Sequence, residues 1–154
     1  MGAMDVPDLS REPYAVAEQV SPLVRRVLAR NASPFSYTGT QTYLVGHGDV
    51  AVIDPGPLAD DPEHVDALLR ILGDEHVAAI LCTHTHRDHS PAAAPLAEAT
   101  NAPVIGCARL VIEDDGPRAD ASFDVTYFPT QVLSDGQQVR GDGWTLTAVA
   151  TPGH

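Results

Sequence analysis

Hydrophobic positions along the chain change period several times, and the changes lay out the elements. Residues 23–28 make a first short run of strand length. Residues 31–41 are rich in Ser, Thr, Gly and Pro and read as a loop. Thr42-Tyr43-Leu44-Val45 and Val50-Ala51-Val52-Ile53 flank the turn Gly46-His47-Gly48-Asp49, which predicts a hairpin with His47 in the solvated turn. Val65, Leu68, Leu69 and Leu72 then recur at i, i+3, i+4 and i+7, the single apolar stripe of a helix. Asp61 suits its cap, Pro62 its first position and Gly73 its end. Residues 77–82 form an unbroken apolar run, as in a strand covered on both faces.

A second helix is predicted from Ser90-Pro91 to about residue 99, followed by a short strand at 103–107. Strand, helix and strand in this order make a βαβ unit with a right-handed crossover. Near the end, Trp144, Leu146, Ala148 and Ala150 alternate with Thr145, Thr147, Val149 and Thr151. With residues 132–139, which contain a turn at Asp135-Gly136, they predict a second hairpin around Gly141-Asp142-Gly143. Residues 113–124, acidic with Gly and Pro, read as a mobile surface loop. Residues 1–18 lack periodicity and read as a leader. The fold class is α/β.

The 154 residues suit one domain, placed here at residues 19–154, with a core of useful size. Met1-Gly2-Ala3-Met4-Asp5 has no basic start and no apolar stretch. It reads as a cloning remnant before a native Met4 rather than a signal peptide. No apolar run approaches the roughly 20 residues of a membrane span, so no membrane partner is expected. The net charge is −12, from 21 acidic residues against 9 arginines and no lysine. Such a chain repels polyanions at long range. Cys82 and Cys107 make neither a disulfide framework nor a metal motif, and two reduced thiols suit a cytoplasmic location. A nucleotide-binding module is excluded, because no glycine-rich phosphate loop follows any strand.

The chemistry lies directly after the buried strand, in Thr83-His84-Thr85-His86-Arg87-Asp88-His89. Imidazole and carboxylate are ligands of catalytic zinc. In open α/β sheets, ligands gather beyond the carboxyl ends of strands. An extended backbone sends His84 and His86 to the same side, where they can grip one ion. Asp88 and His89 come where the chain turns and can face a neighbouring second point. Asp88 is either a ligand or the group that accepts a proton during reaction. His154, after Thr151-Pro152-Gly153, is a candidate third histidine that leaves one position open for water. Arg87 could touch an anion, although a solvent-facing loop position is its simpler reading.

His84-x-His86-x-Asp88-His89, with Ile53-Asp54-Pro55-Gly56 upstream and Thr151-Pro152-Gly153-His154 downstream, resembles the metallo-beta-lactamase superfamily. Thr38-Gly39-Thr40-Gln41-Thr42-Tyr43-Leu44-Val45-Gly46 and the stretch from Leu133-Ser134-Asp135-Gly136 to Trp144 are similar to the subgroup around beta-lactamase-like protein 2. The resemblance implies an αββα sandwich with a binuclear metal site. This chain would be half of it: a mixed sheet with helices on one face, truncated after Thr-Pro-Gly-His. By position, His84, His86 and His154 would hold the first metal, Asp88 and His89 part of the second, and Asp54 would support the metal loop. Ser90-Pro91-Ala92-Ala93 stands where the family often shows glycines. The family's later bridging aspartate and later histidine are absent, so one zinc per chain is expected rather than two.

The implied activity is a metal-dependent hydrolase, metal-bound hydroxide attacking an ester, thioester, lactam or phosphodiester, and it is expected to be impaired in so short a chain. Its partner would be a small-molecule substrate. The subgroup resemblance admits RNA, but the charge opposes it. The alternative is a non-catalytic metal-binding half-domain that self-associates. A half sandwich leaves an apolar sheet face in need of cover. A homodimer, or pairing with a missing C-terminal half, is therefore expected.

Overall fold

The computed structural model describes residues 8–109 and 123–151. In chain order these form a 3-10 turn (Leu9–Arg11), β1 (Ala17–Gln19), β2 (Val24–Leu28), β3 (Gln41–Val45), β4 (Asp49–Ile53), α1 (His64–Leu72), β5 (His76–Cys82), α2 (Ala93–Thr100), β6 (Val104–Gly106), β7 (Gln131–Val132), β8 (Gln138–Gly141) and β9 (Trp144–Thr147). Strands β1 to β7 lie side by side in chain order in one sheet, and β8 and β9 make a separate ribbon. The sheet is mixed. Neighbours are antiparallel from β1 to β4 and parallel from β4 to β7. The change of sense falls where α1 enters, because a parallel neighbour needs a crossover rather than a tight turn.

Both helices cover one face of the sheet. Val65, Leu68 and Leu72 of α1 and Leu96 of α2 share a core with Leu44, Val52 and Ile80. On the opposite face, Val45, Ala51, Ala79, Leu81 and Ile105 pack with Trp144 from β9. Strand β5 is apolar from Val77 to Cys82 because its side chains enter a core on each face of the sheet. The expected α/β class, with a mixed sheet and helices on one face, is what the structure shows. The second face has a partial cover that the sequence reading did not assign, the β8–β9 ribbon. Trp144 fixes it: its indole Nε1 donates to the Asp49 carbonyl at 2.8 Å, and the Asp142 N–H donates to Asp49 Oδ2 at 2.7 Å. The indole fits because Gly46 and Gly141 lie beneath it; a Cβ on either would stand 2.4 or 2.1 Å from the ring.

Several boundaries depart from the sequence reading, each for a traceable reason. Helix α1 begins at His64, two residues later than Pro62. The Asp61 carboxylate accepts the Arg30 N–H at 2.8 Å, a partner 31 positions away, with one oxygen and the Glu63 N–H at 3.3 Å with the other, so it still caps the turn that leads into the helix. Helix α2 begins at Ala93, because the His89 and Ser90 N–H groups both turn back to the His86 carbonyl. Val132 joins the main sheet beside β6, and the second hairpin is confined to β8 and β9. Its register pairs Gly141 with Trp144, leaving Asp142-Gly143 as a two-residue turn.

The stretch before Glu18 is not a featureless leader within the described residues. Strand β1 pairs with β2, Tyr14 is buried with its hydroxyl on the Thr38 carbonyl, and Arg30 lies 4.8 Å over its ring. A three-residue strand is too short to show a period. Most of the acidic stretch lies outside the described residues, as residues 110–122; its last member, Asp124, is buried rather than solvated. Among the described residues, no helix is long and apolar enough to cross a membrane.

Candidate metal centre

The histidine-rich segment leaves β5 at Cys82 and is held against Asp54, the residue after β4. Asp54 has φ +52°, a left-handed conformation uncommon outside glycine. Its N–H donates to the Leu81 carbonyl at 2.8 Å. Its carboxylate accepts twice from Thr83, from the N–H at 2.8 Å and from the hydroxyl at 2.7 Å. The Thr83 oxygen also lies 2.8 Å from His84 Nδ1. Since the hydroxyl proton is given to Asp54, that oxygen accepts from Nδ1–H. The chain Asp54–Thr83–His84 therefore fixes the tautomer and leaves Nε2 as the basic nitrogen of the ring. A carboxylate acting on a ligating imidazole in this manner is a common support for metal sites.

The remaining donors gather around His84. Its ring centroid lies 4.8 Å from that of His86, at 89°, and 4.2 Å from that of His89, at 48°. Donor atoms of His84, His86 and Asp88 all lie within 4.8 Å of one another, and so do those of Asp54, His84 and His89. The structure thus brings together His84, His86, Asp88, His89 and Asp54. It places Asp88 with the first two histidines and His89 with Asp54. His89 Nδ1 stands 3.4 Å from Asp54 Oδ2, and its Nε2 stands 3.5 Å from Asp88 Oδ2. Burial acts to lower the His89 pKa, but Asp54 and Asp88 outweigh it and the ring holds its proton above the ordinary range. His154 lies outside the described residues.

Long-range hydrogen bonds brace the loop at four more points. The Gly56 N–H donates to the His89 carbonyl at 2.8 Å, and the Thr40 hydroxyl to the Asp88 carbonyl at 3.0 Å. The Asp124 N–H donates to the Thr85 carbonyl at 2.7 Å. The Asp124 carboxylate accepts from the buried Ser90 hydroxyl at 2.8 Å. Thr40, Thr83, Ser90 and Asp124 were not singled out from sequence. Their partners are 29 to 48 positions away, so no local pattern marks them. Arg87 is exposed, its Nε on the Phe123 carbonyl at 3.4 Å.

On the ribbon side of the sheet, an apolar groove of about 570 Å³ runs up to Thr83, lined by Ile53, Leu81, Cys107, Leu133 and Leu146 among others. Cys82 and Cys107 are free thiols, and burial pushes both pKa values up, away from reactive thiolate.

Comparison with known proteins agrees with this arrangement. The sequence model of the metallo-beta-lactamase superfamily matches residues 37–154. The beta-lactamase-like protein 2 homolog of Caenorhabditis elegans is 29% identical over 139 residues, covering 89% of this chain and 44% of that protein. The atrochrysone carboxyl ACP thioesterase nsrC of Aspergillus novofumigatus is 36% identical over 141 residues, covering 89% of this chain and 38% of that protein. The chain therefore spans less than half the length of these relatives. Among solved structures, a metallo-beta-lactamase of Cronobacter sakazakii with a HARLDQ motif superposes with a TM-score of 0.70 at 26% identity, covering 90% of this chain and 55% of that one.

Proposed function

Because the chain belongs to the metallo-beta-lactamase superfamily, we propose that it supplies the histidine-rich part of a metal-dependent hydrolase centre acting on a neutral acyl bond, a thioester in the first instance. The observation that carries this reading is the convergence of His84, His86 and Asp88 donor atoms within 4.8 Å, beside a second group of Asp54, His84 and His89. Nitrogen and carboxylate oxygen are the donor set that zinc takes. A zinc ion bound there would lower the pKa of water and polarise a substrate oxygen.

The residues of this chain have separable tasks. His84 and His86 are the neutral nitrogen ligands, His84 oriented through Thr83 and Asp54. His154 is proposed to complete the histidine set. Asp88, half-exposed and 3.5 Å from His89, is the carboxylate placed either to ligate or to take a proton at its Oδ2. Divalent cation and proton compete for these rings, so binding weakens in acid.

Two observations favour an acyl substrate over a phosphodiester. The net charge of −12 opposes the approach of a polyanion. The loop ahead of β3, tied to the centre by the Thr40–Asp88 bond, also exposes Phe35 and Tyr37, which suit an apolar group. The thioesterase names among the relatives are in keeping with this reading.

The test is zinc content by elemental analysis after dialysis, followed by turnover of an S-acyl thioester and of bis-nitrophenyl phosphate. The expected result is at least one zinc per chain and preference for the thioester. Turnover should be lost in His84→Ala with the circular dichroism spectrum unchanged. A zinc ratio near zero rejects the centre; bound zinc with no turnover favours a metal-binding half-domain.

A further inference from the structure

Beneath the Asp54 turn lies a histidine that the metal motif does not include. His64, the first residue of α1, is 1% exposed. Its Nε2 lies 2.8 Å from the Thr42 hydroxyl oxygen, and that hydroxyl lies 2.8 Å from the Asp54 carbonyl. A carbonyl only accepts, so Thr42 gives its proton to Asp54 and its oxygen must receive the His64 Nε2–H. The direction of the chain is thereby settled: His64 donates to Thr42, and Thr42 donates to Asp54. The ring is the neutral Nε2–H tautomer, in keeping with burial holding its pKa down. It also packs under Gly56, where a Cβ would come within 3.0 Å of the imidazole.

Asp54 is held in the left-handed region at φ +52°. Its two ends are gripped by different partners. The carbonyl is fixed from below by Thr42, and the carboxylate grips Thr83 above, next to His84 and 3.4 Å from His89. Rotation of the Asp54 backbone would release both Thr83 bonds together.

We propose that His64 and Thr42 are positioning residues of the candidate metal centre, acting through the Asp54 backbone to aim its carboxylate at the histidine loop. The proposal rests on the metal-centre reading for its consequence, but its geometry is independent of metal.

The experiment uses Thr42→Val, Thr42→Ser, His64→Leu and His64→Gln in the purified chain. Val removes the hydroxyl at constant shape, and Leu removes the donor; Ser keeps the hydroxyl, and Gln places an N–H near Nε2. Two quantities are read. One is protection of the Thr83 amide against hydrogen exchange in metal-free protein, relative to the Leu68 amide as a core reference. The other is zinc affinity by competition with a chromophoric chelator. The expected result is that Val and Leu lower Thr83 protection relative to Leu68 and weaken zinc about tenfold, within the range for residues behind a ligand. Ser and Gln recover most of both, and Thr42→Val with His64→Leu costs no more than either alone.

If Val and Leu lower protection at both amides equally, the role is general stability and the proposal is overturned. It is overturned also if Thr83 protection and zinc affinity stay at wild-type levels. Should His64→Leu not fold, the shape-preserving Thr42→Val decides by the same criteria. Should the wild-type chain take up no zinc while Thr83 protection still falls selectively, the metal-centre reading fails and the positioning of Asp54 stands.

Discussion

Asp54 and Thr83, 29 positions apart, meet through two hydrogen bonds of 2.8 and 2.7 Å that use both carboxylate oxygens. They join the ends of β4 and β5, neighbours in the parallel part of the sheet. The oxygen of Thr83 then passes the contact to His84 Nδ1. One carboxylate thus closes the sheet end and sets the tautomer of the central histidine.

Replacing Asp54 with Asn puts an amide donor against one of the two Thr83 donors. Zinc affinity should fall about 10–100-fold, and the metal-free protein should lose about 1–3 kcal/mol for weakened hydrogen bonds to a charged acceptor. Chelator competition and urea unfolding measure the two. Unchanged affinity would show that the carboxylate does not govern the loop.

Leu68 is fully buried on α1, against the sheet. Leu68→Ala removes that packing and leaves a cavity, so about 2–5 kcal/mol of stability should be lost. A urea midpoint within error of wild type would mean that α1 does not pack as described.

The His64 pKa lies below its ordinary value of 6.5, because burial disfavours the charged ring. Above about that pH the ring is neutral in both folded and unfolded chain, and its contribution to stability is complete. As pH falls below 6.5, the unfolded chain takes up a proton that the folded one refuses, and stability declines toward the folded pKa. From pH 7.5 to 5.5 the urea midpoint of metal-free wild-type protein should therefore fall relative to that of His64→Gln. Equal slopes in the two proteins would contradict this.

At the other end of the sheet, Arg25 and Glu75 form a two-pronged pair, both bonds 3.0 Å, with side chains 12% and 20% exposed. Burial acts to raise the Glu75 pKa, but Arg25 and the Gly48 N–H outweigh it and hold it below its ordinary 4.5. The pair stabilises fully above about that value and its contribution is lost as pH falls through the folded pKa. Glu75→Gln should cost about 1–3 kcal/mol at pH 7, and the difference from wild type should shrink at pH 3. Zinc affinity should not change, since the pair is remote from the histidine loop; a change would show coupling across the sheet.

The sequence by itself determined whatever is local. The stripe from Val65 to Leu72, the apolar run of β5, the Asp142-Gly143 turn and the crowding of His84, His86, Asp88 and His89 each lie within a few residues, where period and spacing are legible. Asp54 was reached through resemblance alone. Tertiary structure decided the rest. Arg30 took up the second oxygen of the Asp61 carboxylate, Asp124 was buried against Ser90, and Thr83, Thr40, Thr42 and His64 became supports of the loop. Each of these depends on a partner that the folded sheet brings near. Hydrogen bonds between groups tens of residues apart leave no period in a sequence, because the fold rather than the spacing sets their geometry.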